Sequence, residues 1–197
     1  MSAAATTSEP LSPVVRAAAR GELPEWARLS AKRRAHIARV AALLDGWARA
    51  LGLPERETER WRAAGWLHDV YRETDPAALR PLVPPPFDGL APKLLHGPAA
   101  AERLAGDADP ELLDAIRYHT LGSPRFGALG RALYLADFLE PGRTFRPEWT
   151  AELRARMPHE MDAVLREVVE ARVGHVSGYG GSLHPETLAF HAEVARP

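Results

Sequence analysis

Cysteine is absent from the 197 residues of this chain. Disulfides, cysteine-ligated zinc and thiol nucleophiles are therefore excluded, and any metal must be held by nitrogen and oxygen ligands. Long apolar runs are also missing. No stretch reaches membrane-spanning length, and the opening MSAAATTSEP lacks the basic-then-apolar order of a secretory signal. A cytoplasmic protein with no membrane partner is the resulting expectation. Neither sign of charge is in excess, since 25 Lys and Arg face 26 Asp and Glu for a net charge of -1. That balance argues against a general nucleic-acid binder, which ordinarily carries a basic surplus, but leaves room for a local basic pocket around a small anion. Alternating strand patterns of useful length and internal repeats are missing as well.

What is present reads as a soluble, helical domain. Hydrophobic residues make up 46% and charged residues 26% of a chain long enough to bury one sizeable core. The first eight or so residues are small and polar and are expected to be disordered. Residues 10–20 suggest a short helix ended by Gly21, and Ser30 is a suitable N-cap for the next. In residues 31–51, Ile37, Val40, Ala41, Leu44 and Ala48 recur at helical spacing and mark a buried face, with His36 bordering it. Gly52 and Pro54 interrupt, and a second helix is expected over 54–70, with Trp61, Ala64, Leu67 and His68 on one side. Residues 74–92 are too rich in proline for regular structure and suggest a loop with short helical turns. Further helices are expected over 97–104, 110–118, 128–139 and 158–176, followed by a glycine-rich turn and a short terminal helix. The reading is an all-α bundle, with residues 1–30 as a partly disordered extension and 31–197 as one domain.

Polar residues interrupt the apolar faces of these helices at a few positions. The adjacent pair His68-Asp69 closes one helix, His36 lies in Arg33-Arg34-Ala35-His36-Ile37, and His119 continues the stripe Leu112, Ala115, Ile116. Asp137 follows Leu133 and Tyr134 on one face of its helix, and His96 stands just before Gly97-Pro98. Each has a bland explanation: a buried ion pair with arginine for Asp137, a satisfied core histidine for His119, a cap or loop position for His96. Together they suggest more, because imidazoles and carboxylates on buried faces are costly unless satisfied, and a divalent metal satisfies several at once. His36, His68, Asp69 and Asp137 come from three helices, as a site inside a bundle requires. Such a metal lowers the pKa of water toward neutrality and can aim it at phosphorus.

The order H…HD…H…H…D resembles the HD-domain phosphohydrolase superfamily. The segments LLHGPAAAERL, DAIRYHTLGSP, ALYLADFLEPGR and LHPET resemble, more narrowly, the YqeK family of symmetrical dinucleoside-tetraphosphate hydrolases, over residues 33–192. The resemblance implies an HD-domain helical bundle that cuts diadenosine tetraphosphate into two ADP with metal-activated water. It implies His36, His68, Asp69 and Asp137 as metal ligands, with His68, Asp69 and Asp137 catalytic. The implied cofactor is a divalent metal, iron foremost with manganese or zinc as alternatives, as one ion or two. Arg33, His96, His119, Arg143 and His184 would face the nucleotide substrate, His96 and His119 either on phosphate oxygens or at a second ion. Without the resemblance, Arg143 reads as a solvated residue after a Pro-Gly turn and His184 as a turn residue. His159, His175 and His191 match nothing and are expected on the surface. The chain departs from the family at Arg72, where a lysine is common; positive charge is kept, but a point-charge proton donor is not. Two other readings remain: a different HD-domain nucleotide phosphohydrolase, and a non-catalytic helical protein that binds metal and nucleotide. A homodimer is left open.

Overall fold

The computed structural model describes residues 10–85, 87–178 and 183–196, and their regular structure is helical throughout. The disorder expected for the first eight residues lies outside the described residues. Helix α1 (Pro13–Ala19) starts where the Ser12 hydroxyl accepts the Val15 amide hydrogen, with Pro13 at a position whose missing N–H costs nothing. Leu11, Val15, Ala18 and Ala19 are buried in the same core as the next two helices, so packing runs unbroken across residue 30. Ser30 caps α2 (Ala31–Ala50) by accepting from the Arg33 amide at 3.2 Å. Gly52, at φ +67, turns the chain into α3 (Glu55–Leu67) in a left-handed conformation that glycine adopts freely.

Helices α2 and α3 approach so closely that their backbones nearly touch. A Cβ placed on Gly65 would lie 2.5 Å from Ala41 Cα and 2.7 Å from Ala41 N. Because Gly65 stands three residues before His68 and Ala41 five residues after His36, this contact fixes the height at which the two imidazoles meet. Their ring centroids lie 5.6 Å apart.

The proline-rich stretch forms α4 (Pro76–Leu79) and three 3-10 turns at Arg80–Leu82, Phe87–Gly89 and Pro92–Leu94. Arg80 braces this stretch, donating Nη1 to the carbonyls of Asp88 and Leu90. Helices α5 (His96–Arg103) and α6 (Pro110–Tyr118) follow, the latter capped by Asp109. The central element is α7 (Ala128–Leu139), which buries Leu133, Tyr134, Leu135, Ala136 and Asp137 among others and packs on α2, α3, α6 and later helices. Arg60 of α3, only 7% exposed, ties that helix to α6 through Asp109 and Glu111 at 2.6–2.7 Å. Helices α8 (Pro147–Arg156), α9 (Met161–Gly178) and α10 (Pro185–Val194) complete the described chain.

Three details depart from the expected pattern. The second long helix ends at Leu67 instead of 70; His68 is its C-cap and Asp69 lies in the tight turns beyond, with Arg72 N donating to Asp69 O at 2.9 Å. Helix α8 has no counterpart among the expected elements, because PEWTAELRAR buries only Thr150 and Leu153 and so shows no apolar stripe. Helix α9 begins at Met161 instead of Pro158.

Replacing Gly65 with Ala is expected to force α2 and α3 apart and cost about 3 kcal/mol, the upper end for overpacking because backbone atoms are in the way. Gly46→Ala on exposed α2, where nothing lies within 4 Å of the new Cβ, should instead stabilise by about 0.5–1 kcal/mol. Urea unfolding of both variants measures the contrast.

Candidate metal centre

Helix ends supply the site. The last carbonyls of an α-helix have no partner within the helix, and two histidines exploit this. His68, the C-cap of α3, donates Nδ1–H to Gly65 O at 2.9 Å, and His119, the C-cap of α6, donates Nδ1–H to Ile116 O at 2.7 Å. His96, at the start of α5, donates Nδ1–H to Lys93 O of the preceding turn at 3.0 Å. A carbonyl can only accept, so each bond fixes the tautomer. His36 makes the fourth such bond, 3.1 Å to Glu140 Oε1, and Glu140 is itself held by Arg39 and by the Gly142 amide at 2.7 Å.

With every Nδ1 committed, four Nε2 atoms turn to one centre. His36 Nε2 lies 3.1 Å from Asp137 Oδ1 and 3.6 Å from Asp69 Oδ2; His68 Nε2 lies 3.7 Å from Asp69 Oδ2 and 3.9 Å from Asp137 Oδ1. His96 Nε2 and His119 Nε2 lie 3.1 and 3.5 Å from Asp69 Oδ1 and 3.1 Å from each other. Asp69 thus divides its oxygens between two sets, His36-His68 and His96-His119, and each set with Asp69 has the spacing of a cation site.

Lone pairs brought this close repel unless something positive lies between them. The Nε2 atoms of His36 and His68 are buried without a hydrogen bond. Burial lowers the His36 pKa, but contact with Asp137, Glu140 and Asp69 outweighs it and raises the value overall. His68 differs: it is fully buried, and desolvation pushes it down to about 4. Burial likewise lowers His96. Neutral imidazoles beside ionised carboxylates are a nitrogen and oxygen donor set that fits a divalent cation.

The carboxylates are kept ionised. Burial works to raise Asp69, but the surrounding His68, His119 and His96 hold it well below the ordinary carboxylate range, and Arg33 Nη1 grips its Oδ2 at 2.6 Å. Burial also works against Asp137, yet His36 and Arg143 hold it far down; Arg143 donates to both its carboxylate and its backbone carbonyl. Against its burial, Glu140 is brought to about 2 by Arg39 and His36.

Two cavities meet beside this centre. The larger, about 730 Å³, is lined by Arg72, Lys93, His96, Tyr134, Arg172 and His184 among others. The smaller, about 310 Å³, includes Asp137 and Arg143 in its wall. The expected residues therefore divide. His36, His68, Asp69, His96, His119 and Asp137 form the buried cluster, Arg33 and Arg143 flank its carboxylates, and His184 stands at the cavity wall while capping α10. His159 is exposed and His191 half-buried, while exposed His175 lines the smaller cavity. Three contributors escaped the sequence reading. Glu140 is the C-cap of α7, three residues after Asp137, and before Pro141 it carries no mark of its own in the sequence. Arg39 is three residues beyond His36, and Arg172 has no sequence mark at all.

The model of the HD domain matches residues 33–142. The chain belongs to the HD domain family. Within it, the chain is similar to proteins named symmetrical bis(5'-nucleosyl)-tetraphosphatase. The Staphylococcus aureus protein is 32% identical over 125 residues, 59% of this chain and 63% of that one. The Halalkalibacterium halodurans protein is 27% identical over 105 residues, 52% and 55% of the two chains. The Bacillus subtilis protein is 47% identical over 57 residues, 27% and 31%. Each match spans less than two thirds of the relative's length. A crystal structure titled as a "predicted HD superfamily hydrolase involved in NAD metabolism", from Clostridium acetobutylicum, is 26% identical with a TM-score of 0.71, covering 91% of this chain and 94% of that one. Among the described residues, no helix is long and apolar enough to cross a membrane.

Glu140→Gln keeps the shape of the His36 support but removes its charge. Metal affinity is expected to fall about 10- to 100-fold, as for other outer carboxylates behind ligating histidines, with helical content unchanged. Competition against a calibrated chelator measures it.

Proposed function

We propose that the chain hydrolyses dinucleoside tetraphosphates symmetrically, as its named relatives and its YqeK-type segments suggest, cutting diadenosine tetraphosphate into two ADP. The observation that carries this reading is the convergence of four Nε2 atoms and two ionised carboxylates beside two cavities, one of them rich in cationic side chains. Residues 31–197 act as the hydrolase domain, in a cytoplasmic protein.

His36, His68, Asp69 and Asp137 hold the metal, iron by family resemblance, with manganese or zinc compatible with the same donors. When bound, it makes water nucleophilic near neutral pH and draws electron density from a phosphoryl oxygen. The protein's own groups do the rest. Arg143 and Arg33 present planar forks beside Asp137 and Asp69, suited to phosphate oxygens and to the charge that develops on the departing nucleoside diphosphate. Arg72, Lys93 and His184 place positive or hydrogen-bonding groups along the larger cavity. Arg72 keeps the charge that the family's lysine would bring, in a form that holds phosphate but does not give up a proton. The water oxygen forms a new bond to one inner phosphorus and the bridging P–O bond breaks. The bridging oxygen keeps the electron pair, and Asp137 or a histidine beside it takes the water proton.

His96 and His119 contact phosphate oxygens in this scheme. A second reading is favoured by their facing Nε2 atoms, which with Asp69 would hold a second cation. Metal analysis at saturation separates the two: one ion per chain for the first, two for the second.

Metal-loaded protein given diadenosine tetraphosphate in oxygen-18 water should yield ADP as the sole nucleotide, with label on half of it. ATP with AMP, or no turnover beside good turnover of another nucleotide, would sink the proposal. Asp69→Ala should lose both metal and turnover while remaining helical; metal loss in a protein that never turned over any nucleotide would support a binding role instead.

A further inference from the structure

The smaller cavity has a wall that the metal chemistry does not use. Beyond Asp137 and Arg143 it is lined by Phe138, Phe145, Arg172 and His175. Phe145 is a large apolar side chain left 42% exposed. It is also firmly supported: its ring meets Phe138, His175 and Trp149 edge-on at centroid distances of 5.9, 6.2 and 6.4 Å. A braced, exposed ring at the mouth of a cavity is a stacking platform for a planar ligand.

Arg172 joins this cavity to the larger one, lining both. Its guanidinium lies 4.5 Å from the Tyr134 ring centroid and 5.8 Å from that of Phe138, and it donates Nη2 to Thr120 O at 3.0 Å. Tyr134 faces the larger cavity and Phe138 the smaller, so the arginine marks the seam between them along α7. The two cavities differ in kind. The larger has Arg72, Lys93, His96 and His184 besides the shared Arg172, suited to a phosphate chain with its nucleoside, whereas in the smaller Arg143 is already on Asp137 and, beyond Arg172 and His175, the wall is apolar and aromatic, with Phe138, Phe145, Ala171 and Val176.

We propose that the smaller cavity is the subsite for the second nucleoside of a dinucleoside polyphosphate, its base stacking on Phe145 and its adjoining phosphates reaching Arg143 beside Asp137. This rests on the hydrolase reading above and adds to it where the other half of the substrate sits. Occupying both cavities places the middle of the phosphate chain at the metal centre, so cleavage falls between two equal halves. Arg172 is a positioning residue that holds the two subsites in register.

The test uses ADP and the manganese-loaded full chain, with Phe145→Ala as the probe and Phe145→Tyr as a control that keeps the ring. Calorimetric titration should find two ADP per chain in the unaltered protein and in Phe145→Tyr, but one in Phe145→Ala. KM for diadenosine tetraphosphate should rise about tenfold in Phe145→Ala, the effect of losing one base stack. The helical circular dichroism spectrum of Phe145→Ala should match that of the unaltered protein, which shows that the variant is folded. A single ADP site in the unaltered protein, two sites surviving in Phe145→Ala, or an unchanged KM would overturn the subsite. Should the unaltered protein not cleave diadenosine tetraphosphate, the hydrolase reading falls, and the ADP count alone still decides whether the subsite exists.

Discussion

Everything at the centre depends on where four Nδ1–H groups are committed. An imidazole has two nitrogens, and a protein that leaves both free leaves the ring's direction and tautomer undetermined. Here each ring is tied on its Nδ1 side, three times to a main-chain carbonyl three residues earlier in the chain and once to a carboxylate. The commitments set where the Nε2 atoms point, and the Nε2 atoms make the site. Asp69 and Asp137 then need to be charged, and Arg33 and Arg143, on the same carboxylate oxygens that face His36 and His68, help keep them so against the pull of burial.

The helices serve this arrangement by ending where they do. His68 and His119 are both C-caps, so the same termination that leaves a carbonyl without a helical partner also leaves an imidazole beside it to fill the vacancy. The near-contact of Gly65 with Ala41 brings the α2 ring to the height of the α3 ring, and α7 delivers Asp137 to both. A longer α3, as periodicity suggests, would carry Asp69 onward along the helix, away from the turn that lets its two oxygens face different histidine pairs.

The sequence reading was strongest where chemistry and periodicity coincide. Polar residues on apolar helix faces marked His36, His68, Asp69, His119 and Asp137, and the structure gathers these with His96 into one buried cluster. Ser30 as a cap and the span of α2 were legible for the same reason: a local rule fixed them. What was not legible depends on distance along the chain. Helix α8 buries two side chains and so has no period to detect. Glu140 reads as an ordinary acidic residue before Pro141 until it is seen beside His36, 104 positions away. Arg172 belongs to a surface-spaced arginine pattern shared by much of the chain, and only the fold puts it between two cavities.

The two kinds of support behind the imidazoles also differ in how they can change over generations. Three are main-chain carbonyls, which no exchange of side chain at Gly65, Lys93 or Ile116 deletes. The fourth depends on the identities of Glu140 and Arg39, two codons that can drift. Gradual tuning of the candidate centre among related sequences therefore has one open door, on the His36 side, while the other three histidines are tied to the course of the backbone itself.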